Sequence, residues 1–258
     1  MLTQSSAAVS DDGKNWLLLN ASPDLVPQFA SFPPLAPARG QVRGSAVQAV
    51  ILTDGEMDHV AGLLSLREQR SLRLVCTRAV KSLLTDQFPL LPVLSAYCRI
   101  RHDVFPVRIA GLRVSALELE SEKAPRYSRR AAGRGETVAL RLESVRDQRS
   151  CVYLPALPAI TPSLNAFVAG CDGLLVDGTF WSEREMAGLS RRTARGMGHV
   201  PISGEGGSLE WLRRLPVPRK VYTHINNTNP ILSKASRQRR RVREAGVEIS
   251  FDGMSLRL

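Results

Sequence analysis

Apolar residues fall along this chain in short runs rather than in long helical stripes. Runs at 15–20, 46–54, 72–77, 112–119, 137–144, 151–155, 173–180, 220–225 and 247–253 are continuous or alternate with period two. Gly, Pro, Asp or Asn bounds them, so each predicts a strand. Helical patterns cover 59–69, 78–88, 161–170, 208–215 and 234–246; Ser233 is placed to cap the last and Gly246 to end it. Strands outnumber helices, and several successive strands have no helix between them. That combination predicts an α/β (α+β) fold of two sheets flanked by helices, not one doubly wound parallel sheet. Segments 33–41 and 124–136 read as loops. The second carries Arg126, Arg129, Arg130 and Arg134 and is long enough to cover a site.

Composition narrows the class. A length of 258 residues with 43% apolar content suits a single domain over 1–258. No apolar run reaches the ~18 residues of a membrane span, and the first residues lack the pattern of a secretory signal. Cys76, Cys98, Cys151 and Cys171 are scattered and form no CxxC pair, so they read as buried free thiols of a cytoplasmic protein. The net charge is +11, and much of the excess lies in 234–246. No aromatic residue interleaves with those arginines, so a solvated helix face is expected there and a nucleic-acid partner is not.

Candidate chemistry concentrates in "ILTDGEMDHVAGLLSLRE" at 51–68, where an apolar run gives way to Asp54, Glu56, Asp58 and His59. The remaining histidines are His102 among charged residues, His199 in the glycine-rich "RGMGHVPISGEGG", and His224 at the end of the strand "KVYTH". A turn at Gly55-Glu56-Met57 would let Asp58 and His59 reach a common ion. His224 from a distant strand end would complete two imidazoles and one carboxylate, the usual ligand set of non-haem Fe(II) oxygenases.

These residues also carry a resemblance. "TDGEMDHVAGLLSLRE" looks like the His-x-His-x-Asp-His loop of the metallo-β-lactamase fold, with Asp54 and Glu56 in place of the leading histidines and Asp58 and His59 retained. "NASPDL", "GLLSLRE", "LLVDGTFW", "MGHV", "THINNTNPIL" and "FDGMSL", in that order, resemble the pyrroloquinoline quinone (PQQ) biosynthesis protein B family, PqqB. The resemblance implies an αββα sandwich of two mixed sheets. It implies that the first metal position of the hydrolytic members is lost, and "VYLPALP" (152–158) stands where their bridging aspartate would lie. One mononuclear site of Asp58, His59 and His224 then remains. The implied function is Fe(II)- and O2-dependent hydroxylation of the tyrosine ring of a Glu–Tyr-derived precursor. The implied partners are that small acidic substrate and other PQQ-pathway proteins. A zinc-dependent hydrolase and a non-catalytic carrier of PQQ stand as alternatives.

Several roles stay open between two readings. His199 is an acid/base or further ligand, or is bonded to loop backbone. Asp177 orients a ligand histidine or caps its turn. Asp54 and Glu56 face the vacated position, where they bind substrate or take a proton, or only buttress the loop. Asn226 and Asn227 meet the substrate or build a turn. Arg126 and Arg130 pair with substrate carboxylates or are solvated surface charges. Family members begin upstream with a first strand and a cysteine cluster that looks like a structural zinc site. This chain is expected to be N-terminally shortened, with an unpaired sheet edge and no structural zinc.

Overall fold

All nine expected strands form, most of them shorter than their apolar runs, and among the described residues three more join them. The computed structural model describes residues 3–37 and 44–258; the part of the 33–41 loop from 38 onward lies outside the described residues. Strands β1 (Ala7–Val9), β2 (Trp16–Leu19), β3 (Val47–Ile51), β4 (Ser71–Val75) and β5 (Arg99–Asp103) make one sheet in that order. The second sheet runs from β6 (Val107–Ile109) through β7 (Leu112–Glu118), β8 (Val138–Ser144), β9 (Ser150–Leu154), β10 (Gly173–Asp177) and β11 (Arg219–Thr223) to β12 (Glu248–Ile249). Both sheets mix parallel and antiparallel pairs. β1 pairs antiparallel with β2 and is the edge strand of the first sheet.

Alternation along the strands sorts side chains into layers. Leu17, Leu19, Ala49 and Ile51 join Leu140, Leu142 and Tyr153 between the sheets. Their neighbours Leu18, Val50 and Leu52 face outward onto Leu63, Val80 and Leu84. Val152, Leu154, Leu174 and Val176 face outward on the other side, against Leu164, Leu209, Leu212 and Val242. Three apolar layers result, with helices outermost.

The helices depart from the expected bounds for local reasons. α1 (Leu25–Ser31) and α4 (Leu90–Ser95) fall where no helix was expected. α2 is only Met57–Val60 and tightens into 3-10 turns over Ala61–Leu66. α3 (Arg78–Ser82) widens into π-helical turns over Leu83–Gln87. α5 (Pro162–Val168) starts as its sequence suggests, with Pro162 in the first turn and Thr161 Oγ1 accepting from Leu164 N–H. α6 is Ser208–Arg214. α7 (Arg237–Glu244) is capped by Ser236, not Ser233, because Ser236 Oγ accepts from Arg239 N–H; Gly246, at φ +71°, ends it as expected. All four cysteines are free and buried. Among the described residues no helix is long and apolar enough to cross a membrane.

The C-terminal ends of β3, β10 and β11 gather at one rim. Parallel register sets Asp177 beside Thr223, so the residues that follow each strand are neighbours. The two sheets meet there: Asp54 bridges Thr137, and Val138 N–H donates to Thr53 O at 2.8 Å. Gly62 lets the α2 segment close onto the end of β2. Its N–H donates to Ala21 O at 2.9 Å, and a Cβ on Gly62 would lie 2.1 Å from Ser22 O. Gly62→Ala is therefore expected to destabilise the protein by about 2 kcal/mol or more, roughly 4–8 °C in melting temperature for a chain this long. Gly188→Ala, which meets nothing within 4 Å, serves as the control in the same thermal denaturation.

Candidate metal centre

The loop after β3 is built from the inside outward. Asn20, held at φ +59° after β2, donates from Nδ2 to Thr53 Oγ1 (2.9 Å) and accepts from Thr53 N–H (3.0 Å). Thr53 Oγ1 in turn reaches Asp54 Oδ2 at 2.8 Å. Asp54 is buried, and its carboxylate lies 2.8 Å from His59 Nδ1 and accepts from Glu56 N–H at 2.9 Å. Burial pushes the Asp54 carboxyl up, but His59 more than offsets this and holds it below the ordinary value. Of the readings open for Asp54, the contacts match the buttress: its oxygens are engaged inside the loop, where it orients an imidazole.

Because Nδ1–H of His59 is given to Asp54, the lone pair of His59 sits on Nε2. That atom is buried and has no hydrogen-bond partner. Asp58, His59 and His224 each offer a donor atom within 4.8 Å of the others. Both Asp58 and His59 belong to α2, whose first turn begins at Met57 rather than near His59.

On the other sheet, Asp177 ends β10 and is buried. Its Oδ2 lies 2.6 Å from His199 Nδ1 and accepts from Leu157 N–H; its Oδ1 accepts from Thr179 Oγ1 at 2.6 Å and from Thr179 N–H. Burial opposes ionisation of Asp177, but His199 and His224 keep its carboxyl below the usual range. Thr179 has one proton, and Asp177 takes it. The Thr179 oxygen then accepts from His224 Nδ1 at 2.7 Å, which leaves the neutral form of His224 with its lone pair on Nε2 as well. His224 stands at φ +53°, an uncommon backbone state that histidine tolerates better than most residues. Its Nε2 lies 3.0 Å from Asp58 Oδ2. Burial depresses the pKa of His224, but Asp177 and Asp58 together outweigh it and lift the imidazole to about 10. The rings of His59 and His199 lie 4.9 and 5.5 Å from that of His224.

Asp177, His199 and His224 form a second group of close donor atoms. There Asp177 and the Nδ1 atoms of His199 and His224 are already hydrogen-bonded. In the first group the buried His59 Nε2 has no partner, so Asp58, His59 and His224 fit a divalent cation better.

The remaining expected residues lie around this centre in other roles. Glu56 pairs with Lys123 Nζ at 3.0 Å. The 124–136 segment does cover the loop: Tyr127 Oη donates to Gly55 O at 2.5 Å. Arg130 pairs at 3.0 Å with the buried Glu136. Arg126 is exposed on the same segment. Asn226 donates to Thr228 Oγ1 at 2.8 Å and so builds its own turn, and Asn227 is exposed. His102 lies in β5, apart from the other histidines, with Nε2 against Cys76 O. Asn20, Thr53, Thr179 and Asn229 were not singled out from the sequence. Asn229 donates to Gly178 O at 2.8 Å and ties the turn after His224 to the turn after Asp177.

Comparison with known proteins agrees with this geometry. Residues 15–225 match the beta-lactamase superfamily domain. The chain is 45% identical to the coenzyme PQQ synthesis protein B of Methylococcus capsulatus, over 98% of this chain and 87% of that protein. The chain belongs to the PqqB family of the β-lactamase superfamily. The PqqB relative from Cupriavidus necator is 44% identical over 99% of this chain and 88% of its own. The crystal structure of Zn(2+)-bound PqqB from Methylobacterium extorquens matches with a TM-score of 0.90 and 35% identity, over 99% of this chain and 88% of that one. A diphosphatase of the PhnP family, with a TM-score of 0.68 at 16% identity over 99% of this chain and 85% of that one, shares the fold alone. The metallo-β-lactamase fold expected from the loop at 51–68 is thus the fold of this PqqB family member.

Two outcomes follow from the carboxylate–imidazole pairs. Asp54→Asn removes the negative charge that fixes His59 and adds an amide N–H donor that favours the opposite tautomer, and metal affinity measured by calorimetric titration should fall about 10–100-fold with little change in circular dichroism. In chelator, protonated His224 stabilises the fold. Its raised pKa means that this contribution is complete below about 6.5 and is lost as pH rises through about 10. The difference in melting temperature between the parent protein and His224→Gln should shrink across that window.

Proposed function

We propose that this protein takes part in PQQ biosynthesis as a mononuclear, O2-dependent hydroxylase of the tyrosine ring of a Glu–Tyr-derived precursor. The observation that carries the reading is the unpartnered, buried Nε2 of His59 close to Asp58 and His224. Those three residues would hold the ion, with Fe(II) preferred for a two-imidazole, one-carboxylate set with open positions. When bound, the metal supplies a site for dioxygen activation. The equivalents of a second metal position support the same choice. Asp54 is used up in orienting His59, and Glu56 is neutralised by Lys123.

The chain's own groups divide the remaining work. Asp54, and Thr179 with Asp177, fix the tautomers of His59 and His224, so both nitrogens are aimed before anything binds. His199, held through Nδ1 by Asp177, presents Nε2 to take or return the phenol proton. Tyr127 and Lys123 fasten the covering segment to Gly55 and Glu56, which limits water entry from that side. Arg126 remains available on that segment for a substrate carboxylate. Inserting one oxygen atom into the ring sends the other to water, so a two-electron reductant is part of the reaction.

The zinc-bound state of the Methylobacterium extorquens relative favours a second reading, a zinc hydrolase. Anaerobic loading with Fe(II), followed by O2, ascorbate and a Glu–Tyr dipeptide, separates the two. The expected outcome is oxygen uptake with a product heavier by one or two oxygen atoms, abolished by His59→Ala. Cleavage of the dipeptide with zinc, or tight PQQ binding without turnover under any loading, would overturn the hydroxylase reading.

A further inference from the structure

Some arginines of this surface are matched by carboxylates, as in Arg195 with Glu183 at 2.6 Å and Arg219 with Glu248 at 2.7 Å. One concavity gathers cations that are not. It forms where the chain leaves β5, the edge of the first sheet, and turns into β6, the edge of the second. The cavity is about 800 Å³, and its lining includes Arg78 and Lys81 of α3, Arg108 of β6 and the apolar Val104, Pro106 and Val107.

Of the two carboxylates in the lining, Asp103 is paired with Arg73 Nε at 2.6 Å, and Asp86 accepts from Ser82 Oγ at 2.7 Å and keeps its charge. Among the described residues, Arg78, Lys81 and Arg108 have no carboxylate in ion-pair range. Arg78 and Lys81 are three residues apart on one helix, a spacing that places like charges side by side and costs stability. Their field reaches His102, whose pKa is lowered by burial and further by Lys81 and Arg78, against the opposing effects of the Cys76 carbonyl and Asp103. His102 Nε2 lies 3.1 Å from the Cys76 carbonyl, so it is the N–H, and the ring is fixed in place. Unpaired cations lining a concave, partly apolar bowl are a recognition surface for anions.

We propose that this basin binds a ligand carrying two or more carboxylates, either an acidic peptide segment or a free polycarboxylate. Arginine suits bidentate contact with carboxylate, and the volume accommodates a few residues or one small molecule. The site is separate from the metal centre and does not depend on how that centre is read. It is nonetheless connected to it. Thr77 Oγ1, capping α3, donates to Gly135 O at 2.6 Å, and Gln87 Oε1 accepts from Arg129 N–H at 3.1 Å. The helical stretch that walls the basin therefore also holds the segment covering the metal loop.

Calorimetric titration of the full chain with hexaglutamate and, separately, with citrate tests the assignment. Arg78→Glu/Lys81→Glu should weaken binding by about tenfold or more. Arg240→Glu/Arg243→Glu on α7, with the same change in net charge, should leave it within about twofold. If the α3 variant melts early, Arg108→Glu on β6 gives the deciding measurement. Binding of hexaglutamate alone assigns a peptide ligand, and binding of citrate alone assigns a free polycarboxylate; each supports the site. Equal weakening by the α3 and α7 variants, or no binding of either probe, overturns it.

Discussion

Two carboxylates, Asp54 and Asp177, are almost completely removed from water, and the rest of the centre is arranged around that fact. An ionised carboxylate in such a position is tolerated only when its oxygens are fully hydrogen-bonded. Each therefore collects donors: an imidazole Nδ1, a threonine hydroxyl and at least one backbone N–H. Satisfying them consumes Nδ1–H of His59 and His199 directly, and that of His224 through Thr179. In the neutral imidazoles the remaining lone pairs are then all on Nε2. The electronic state of the site is thus a by-product of solving a burial problem beneath it.

The sequence made the sheets legible because strands buried on both faces read as apolar runs whatever their partners. Strands β1, β5 and β6 escaped notice for the opposite reason: each is short and lies at or near a sheet edge, and β5 is mostly polar, "RIRHD". Helix ends were displaced where two serines competed, and Ser236 rather than Ser233 had the backbone geometry to cap α7.

Around the centre, Asp58, His59, His199, His224 and Asp177 could be picked out by residue type and by their position at strand ends. Their partners could not. Thr179 is an ordinary threonine in one dimension; its importance lies in standing 2.7 Å from an imidazole 45 residues away. Asp54 illustrates the same limit. A carboxylate in a ligand loop reads as a functional group facing outward, and only the fold shows that its oxygens point inward to Thr53 and His59.

Asp58 and His59 are carried by the first sheet, and His224 and His199 by the second. The centre straddles the seam of the sandwich. A cation held there would act as a rivet between the two halves, and its retention would gauge how tightly they are docked. Damage to the packing between the sheets, as at the buried Tyr153 on β9, would then loosen the ion from a distance without touching any of its ligands.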